Sequence, residues 1–249
     1  MTEKDENFYF RFRRAFLPKG GEAITLEEAE EFFLEQLEDR GGACKDTLWQ
    51  LVRVYSFMKR PDDALNYLYK MIQLSDDKEE NASFFLTLGQ MMEQKGDYAA
   101  AIEYYRGAFC LKPSNNDVWY WVNNNLGFSL NQLGRYDEAE GYLQAAIRID
   151  PTRANAFKNL GLCFMGRGDY IRAAENFIAA VKTNASDPRA LKHLEDLLSG
   201  HPELFGEITD LPRILMQCRK AVKTALESQP DFEKRWKKLR KQKRGIAET

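Results

Sequence analysis

The sequence predicts an all-α solenoid, a row of antiparallel helix pairs with helical flanks at both ends. Three features predict it. Gly96, Tyr98, Ala101, Tyr105, Ala108 and Pro113 recur in register as Gly134, Tyr136, Ala139, Leu143, Ala146 and Pro151. The series returns 34 residues further on as Gly168, Tyr170, Ala173, Phe177 and Ala180. Leu88-Gly89, Leu126-Gly127 and Leu160-Gly161 keep the same phase upstream. A period of this length reads as a helix–turn–helix unit that buries its apolar face only by stacking on its neighbours.

Residues 1–44 form an N-terminal arm and a capping helix. In residues 8–14, Phe8, Phe10 and Phe12 alternate with Tyr9, Arg11 and Arg13, which favours an extended segment with one sticky face. This segment can pack on the first helix, lie along the chain's own groove, serve as a partner-binding arm or support a homo-oligomer, because exposed aromatics are a liability in a monomer. Thr25 and Glu28 have capping-box spacing ahead of Leu26, Ala29, Phe32, Phe33 and Leu37, and Gly41-Gly42 ends that helix.

Residues 45–187 divide into four units, 45–78, 82–115, 120–153 and 154–187. The first is the most divergent, with Leu51, Val52 and Tyr55 at the anchor positions of its first helix and Ala64, Leu68 and Met71 on its second. Pro61 opens that second helix, where a missing N–H costs nothing. Steps of 37 and 38 residues precede units two and three, and the extra residues are expected in the connections 75–81 and 114–119. In the last unit Phe157, Leu160, Gly161 and Phe164 form an i, i+3, i+4, i+7 stripe that faces Ala173, Phe177 and Ala180. Pro113 and Pro151 close second helices, since proline cannot continue a helix interior. Residues 188–249 supply a cap helix over 188–198, an amphipathic helix carrying Leu211, Ile214, Leu215, Cys218, Val222 and Ala225, and a last helix around Phe232, Trp236 and Leu239.

Composition narrows the function classes. At 249 residues and 44% hydrophobic the chain can bury a continuous core, yet no apolar run approaches the ~18 residues of a membrane span. Met1 to Asn7 is acidic with no apolar stretch, so no signal peptide is expected and the cytoplasm is the expected location. Cys44, Cys110, Cys163 and Cys218 have no metal or disulfide spacing and read as reduced thiols. His193 and His201 lack a metal-site arrangement. Gly20-Gly21 and Gly41-Gly42 lack the rest of any phosphate loop. With flanks of 44 and 62 residues, too short for a separate catalytic domain, the expectation is no enzyme, no cofactor and no metal.

The Leu-Gly, Gly-x-Tyr, Ala, aromatic/Leu, Ala and Pro anchors resemble the tetratricopeptide-repeat family over residues 45–187. The resemblance implies a right-handed superhelix whose concave groove is lined by the first helix of each unit, and a non-catalytic scaffold or adaptor that binds a protein or peptide client there. It places Gln50, Thr87, Asn125 and Asn159, each just before the Leu-Gly position, in the groove. Neighbouring groove positions are Arg53, Gln90, Trp121, Asn124, Phe128, Asn155, Lys158 and Leu162. An amide carries both donors and an acceptor, so Asn125 and Asn159 can pair with both groups of a peptide backbone. They resemble the asparagine ladder of O-linked N-acetylglucosamine transferase, although Gln50 and Thr87 stand at the other two rungs. The Lys/Asn, Asn, Lys/Arg clamp by which some relatives hold the C-terminal carboxylate of heat-shock proteins is absent, since Leu86, Gln90, Asn155 and Asn159 occupy its positions.

The net charge of −2 hides an asymmetry. Lys234, Arg235, Lys237, Lys238, Arg240, Lys241, Lys243 and Arg244 form an acid-free basic tail of +8, leaving −10 on the rest. Such a run can bind nucleic acid or an anionic surface such as an acidic protein or lipid, with strong salt dependence, or lie solvated against the acidic body. Two further functions are therefore expected as alternatives: a secretion-type or assembly chaperone for one client, and a nucleic-acid-associated adaptor acting through the tail.

Overall fold

The computed structural model describes residues 25–228. The aromatic segment 8–14, the helix expected around Phe232, Trp236 and Leu239, and the basic run 234–244 lie outside the described residues. The chain divides into two compact units, Met1–Asp77 and Lys78–Thr249.

In the first unit α1 (Leu26–Asp39) starts at a capping box, in which Glu28 N–H donates to Thr25 Oγ1 at 3.1 Å and Thr25 N–H donates to Glu28 Oε2 at 2.6 Å. It stops where Gly41 and Gly42 turn left-handed at φ 70° and 78°, with Gly42 N–H donating to the Leu37 carbonyl at 2.8 Å. Ala29, Phe33 and Leu37 are buried, but Phe32 is 51% exposed and leaves the apolar face the spacing assigned it. The buried residues follow one i, i+4 line against α2, and Phe32 falls off that line, its ring edge-on to Phe33 at 5.2 Å. The next pair is α2 (Lys45–Phe57) and α3 (Pro61–Leu74). Leu48, Leu51, Val52 and Tyr55 on α2 and Ala64, Leu68 and Met71 on α3 form its core.

The second unit opens with three helix pairs: α4 (Lys78–Lys95) with α5 (Tyr98–Leu111), α6 (Asn116–Gln132) with α7 (Tyr136–Ile149), and α8 (Ala154–Gly166) with α9 (Tyr170–Thr183). Each pair packs on the next, and the first helices α4, α6 and α8 also lie side by side. The end is covered by α10 (Arg189–Gly200), a one-turn α11 (Leu204–Glu207) and α12 (Leu211–Glu227), which lays Leu211, Leu215, Cys218 and Val222 inward. No strand occurs among the described residues.

The Leu-Gly anchor has a direct steric cause. A Cβ on Gly89 would stand 2.3 Å from the Tyr105 ring, one on Gly127 2.5 Å from Leu143, and one on Gly161 2.6 Å from the Phe177 ring. Tyr105, Leu143 and Phe177 are themselves fully buried, so each fills the notch its partner glycine leaves open.

The extra residues of units two and three do not sit in the connections. They lengthen the first helices to 18 residues in α4 and 17 in α6, against 13 in α8. Asn115 caps α6 early by accepting from Asp117 N–H at 2.9 Å and Val118 N–H at 3.2 Å. Glu79, in the added turn of α4, accepts the Ser114 and Asn115 N–H groups of the following loop. Asp117, in the added turn of α6, pairs with Arg153 just ahead of α8. Each added turn thus holds the loop that enters the next first helix.

Gly161→Leu should lower the melting temperature, at a cost of about 1–3 kcal/mol or more, because the Phe177 ring cannot be accommodated elsewhere in a filled core. Gly141→Ala, in the interior of α7 with open space around it, should raise stability by about 0.5–1 kcal/mol. Thermal melts of the two variants check both signs.

Candidate functional site

The first helices turn one face to their own partner helix and another toward their neighbours in the row. On α8, Leu160, Gly161 and Phe164 are buried against α9, while Asn155, Lys158, Asn159 and Leu162 share a second i, i+3, i+4, i+7 stripe. On α6 the corresponding stripe is Trp121, Asn124, Asn125 and Phe128, and on α4 it includes Thr87 and Gln90.

These residues fall into two sets. Asn124, Asn125 and Asn159 are only 4–7% exposed and bond to one another. Asn159 Nδ2 donates to Asn124 Oδ1 at 3.1 Å, and Asn124 Nδ2 donates to Asn125 Oδ1 at 2.9 Å. The seam continues through the Asn125 side chain to the Tyr105 hydroxyl, which donates to the Glu93 carboxylate. Ser129 Oγ donates to the other Glu93 oxygen at 3.4 Å, and Asn131 Nδ2 donates to the Asn159 carbonyl at 2.8 Å. A buried polar side chain that left these bonds unmade would carry a desolvation cost of about 1–3 kcal/mol. Sequence reasoning placed three members of this seam in the groove and missed Glu93, Tyr105, Ser129 and Asn131. The available signal was the run Asn123-Asn124-Asn125 in mid-helix, where asparagine is a poor helix former unless its amide is engaged. Asn123 Nδ2 donates back to the Trp119 carbonyl at 2.8 Å.

The second set is half-exposed: Gln90, Trp121, Phe128, Asn155, Lys158 and Leu162. Phe128 stands edge-on to Tyr98 at 6.1 Å, and the Arg153 guanidinium covers Trp121 at 5.6 Å. Thr87 turns its hydroxyl back to the Ser83 carbonyl at 2.9 Å. In the first unit Gln50 is buried and accepts from Arg53 Nη1 at 3.1 Å.

Burial governs the titration of this region. It raises the Glu93 carboxyl above its usual 4.5, against the hydrogen bonds from Tyr105 and Ser129. It lowers the Lys158 ammonium, reinforced by Arg189 and opposed by Asp187. Both histidines are engaged in packing: His193 stacks on Phe177 at 5.5 Å, and His201 stacks on Tyr170 at 3.5 Å with Nδ1 2.9 Å from Glu203. Among the described residues no group of His, Cys, Asp and Glu is placed to hold a metal ion, and no helix is long and apolar enough to cross a membrane.

Family models described as tetratricopeptide repeat match residues 50–116 and 92–160. Residues 50–160 of this chain are tetratricopeptide repeats. Human tetratricopeptide repeat protein 7B is 30% identical over 100 residues, 40% of this chain and 11% of that protein. Human DnaJ homolog subfamily C member 7 is 27% identical over 126 residues, 50% of this chain and 25% of that protein. The chain therefore spans a quarter or less of the length of these two relatives, and the likeness concerns the repeats. The structure of PilF from Pseudomonas aeruginosa shares the fold at a TM-score of 0.62 and 15% identity, covering 95% of this chain and all of that one. Tetratricopeptide repeats are in general protein-interaction scaffolds rather than catalytic units.

Asn124→Ala should strand the Asn159 Nδ2 and the Asn125 Oδ1 and cost about 1–3 kcal/mol, whereas Asn155→Ala, on the half-exposed row, should change stability by less than about 0.5 kcal/mol. Denaturant titration of both variants separates the two classes. Glu93 makes a pH-dependent contribution of definite sign. Its folded value is raised, so above 4.5 the native chain binds more protons than the unfolded one, and stability from this group falls as pH rises through the folded value. Glu93→Gln, neutral throughout, should flatten the decline in melting temperature as pH rises above about 4.5.

Proposed function

We propose that the chain is a non-catalytic adaptor that holds an extended segment of a client protein along the exposed stripe of α4, α6 and α8. The observation that carries this reading is the half-exposed row Gln90, Trp121, Phe128, Asn155, Lys158 and Leu162 on three adjacent first helices. The row carries both polar and apolar groups, as a segment with both backbone and side chains to accommodate requires. The asparagine seam beneath acts as a floor: its amides are bonded to one another, so the row above is positioned before a client arrives. That preorganisation reduces the ordering cost of binding. A client reaching the seam itself would exchange Asn–Asn bonds for bonds to its own backbone, which adds specificity with little net energy.

The test is affinity capture from lysate of the native host with the full chain and with Gln90→Ala/Phe128→Ala/Leu162→Ala, at low and moderate salt. A protein that is lost with the triple variant and retained at moderate salt supports the stripe. Partners that the variant retains and moderate salt removes would assign binding to the basic residues 234–244 instead. These substitutions leave the buried seam untouched but remove the partly buried Phe128, which packs on Tyr98, so a somewhat lower melting temperature with retained helical circular dichroism is expected and serves as the folding control.

A further inference from the structure

We infer that the α8 end of this stripe receives an acidic side chain of the client, with the Lys158 ammonium as its counter-charge. The inference rests on the client-binding reading above and adds the chemistry of one position in the bound segment. Lys158 is half-buried, yet among the described residues its ammonium makes no ion pair and donates no hydrogen bond. That sets it apart from the other cations of this end. Arg153 is held by Asp117 and Asp150, Arg167 by Asp137 and Glu140, Arg172 by Asp169, and Arg189 by Asp187, while Lys182 and Lys192 are exposed to water. A desolvated ammonium with three idle donors is costly, and the cost disappears when a carboxylate closes on it.

The surroundings select the sign and the kind of ligand. Arg189 on α10 places a second positive charge near Lys158, and Asp187 only partly offsets it. Asp187 already occupies the Arg189 fork, with Arg189 Nη2 donating to Asp187 Oδ2 at 2.6 Å and Nε to Asp187 Oδ1 at 2.8 Å. The bidentate guanidinium that a phosphate would call for is therefore committed, and the free donor is a single lysine. One turn before Lys158 on the same stripe stands Asn155, half-exposed and able to donate to a second carboxylate oxygen. One ammonium and one amide fit one Asp or Glu side chain. This is a single-lysine site at the end of the row, unlike the multi-residue clamp whose positions here hold Leu86, Gln90, Asn155 and Asn159.

The experiment pans a phage-displayed random peptide library against the full chain and against Lys158→Gln and Lys158→Glu. Selected peptides are then resynthesised with amidated C-termini and measured by fluorescence anisotropy. The expected result is a consensus with Asp or Glu at one fixed position. Replacing that acid by its amide, or Lys158 by Gln, should weaken binding about tenfold or more, the two losses should not add, and Lys158→Glu should select Lys or Arg at the same position. An acid-free consensus, or an acid whose contribution Lys158→Gln leaves unchanged, would overturn the carboxylate assignment while the client-binding stripe stands. Binding abolished by amidation alone would overturn the side-chain source. Failure of the wild-type chain to select any peptide would remove the stripe reading as well. Lys158→Gln should melt no lower than the wild type; a lower melting temperature would reveal a partner within the chain and overturn the inference.

Discussion

The notch left by a missing Cβ is the constraint on which the repeat architecture depends. At Gly89, Gly127 and Gly161 the first helix offers backbone where any other residue would offer a side chain, and Tyr105, Leu143 or Phe177 of the second helix fills the space. The fit commits that face of each first helix to its own partner. Ala101, Ala139 and Ala173 keep the second helix close along the rest of the crossing. What remains of the first helix is then left to its neighbours in the row and to the outside, which is where the asparagines and the half-exposed stripe lie. The first pair carries Val52 in place of the glycine, and Val52 and Ala64 are both buried.

A polar seam inside such an array contributes little net stability, because each amide bond replaces bonds the side chains would make with water. Its larger effect is on specificity: an Asn124 without Asn159 opposite would be a buried amide with unmet bonds. Glu93 extends the same logic to charge. Its carboxylate is reached by Tyr105 from within the pair and by Ser129 from the next first helix, so one ionisable group ties two repeats together. Local order at the site and stacking of the repeats therefore rest on the same side chains.

The repeats were legible in the sequence because their anchors are steric necessities at fixed spacing, and glycine, alanine and proline each have one physical reason to stand where they do. The capping box at Thr25 and the double-glycine stop were legible for the same reason. The added turns of α4 and α6 were not, since anchor spacing shows that residues are inserted without showing whether they lengthen a helix or a loop. Asn115 contributes a local cap, but Glu79 acts through contacts with the Ser114 and Asn115 N–H groups made across some 35 residues. The stripe could place Asn124, Asn125 and Asn159 on one face but not pair them, because a helix pattern gives direction and carries no information about distance between helices. The exposure of Phe32 was hidden likewise: an apolar residue next to an apolar stripe reads as part of it until the partner helix is in place.

The added turns also determine which parts of this molecule can be exchanged. A repeat of uniform length is a module that can in principle be duplicated, deleted or moved along a row. Here the turn carrying Glu79 reaches the loop before α6, and the turn carrying Asp117 reaches Arg153 before α8, so each helix is cut to the unit that follows it. Transplanting the middle unit, α6 with α7, would sever both couplings at once. The order of the repeats is in this sense written into their lengths, and the array behaves less like a string of beads than like a set of keyed segments with one permitted assembly.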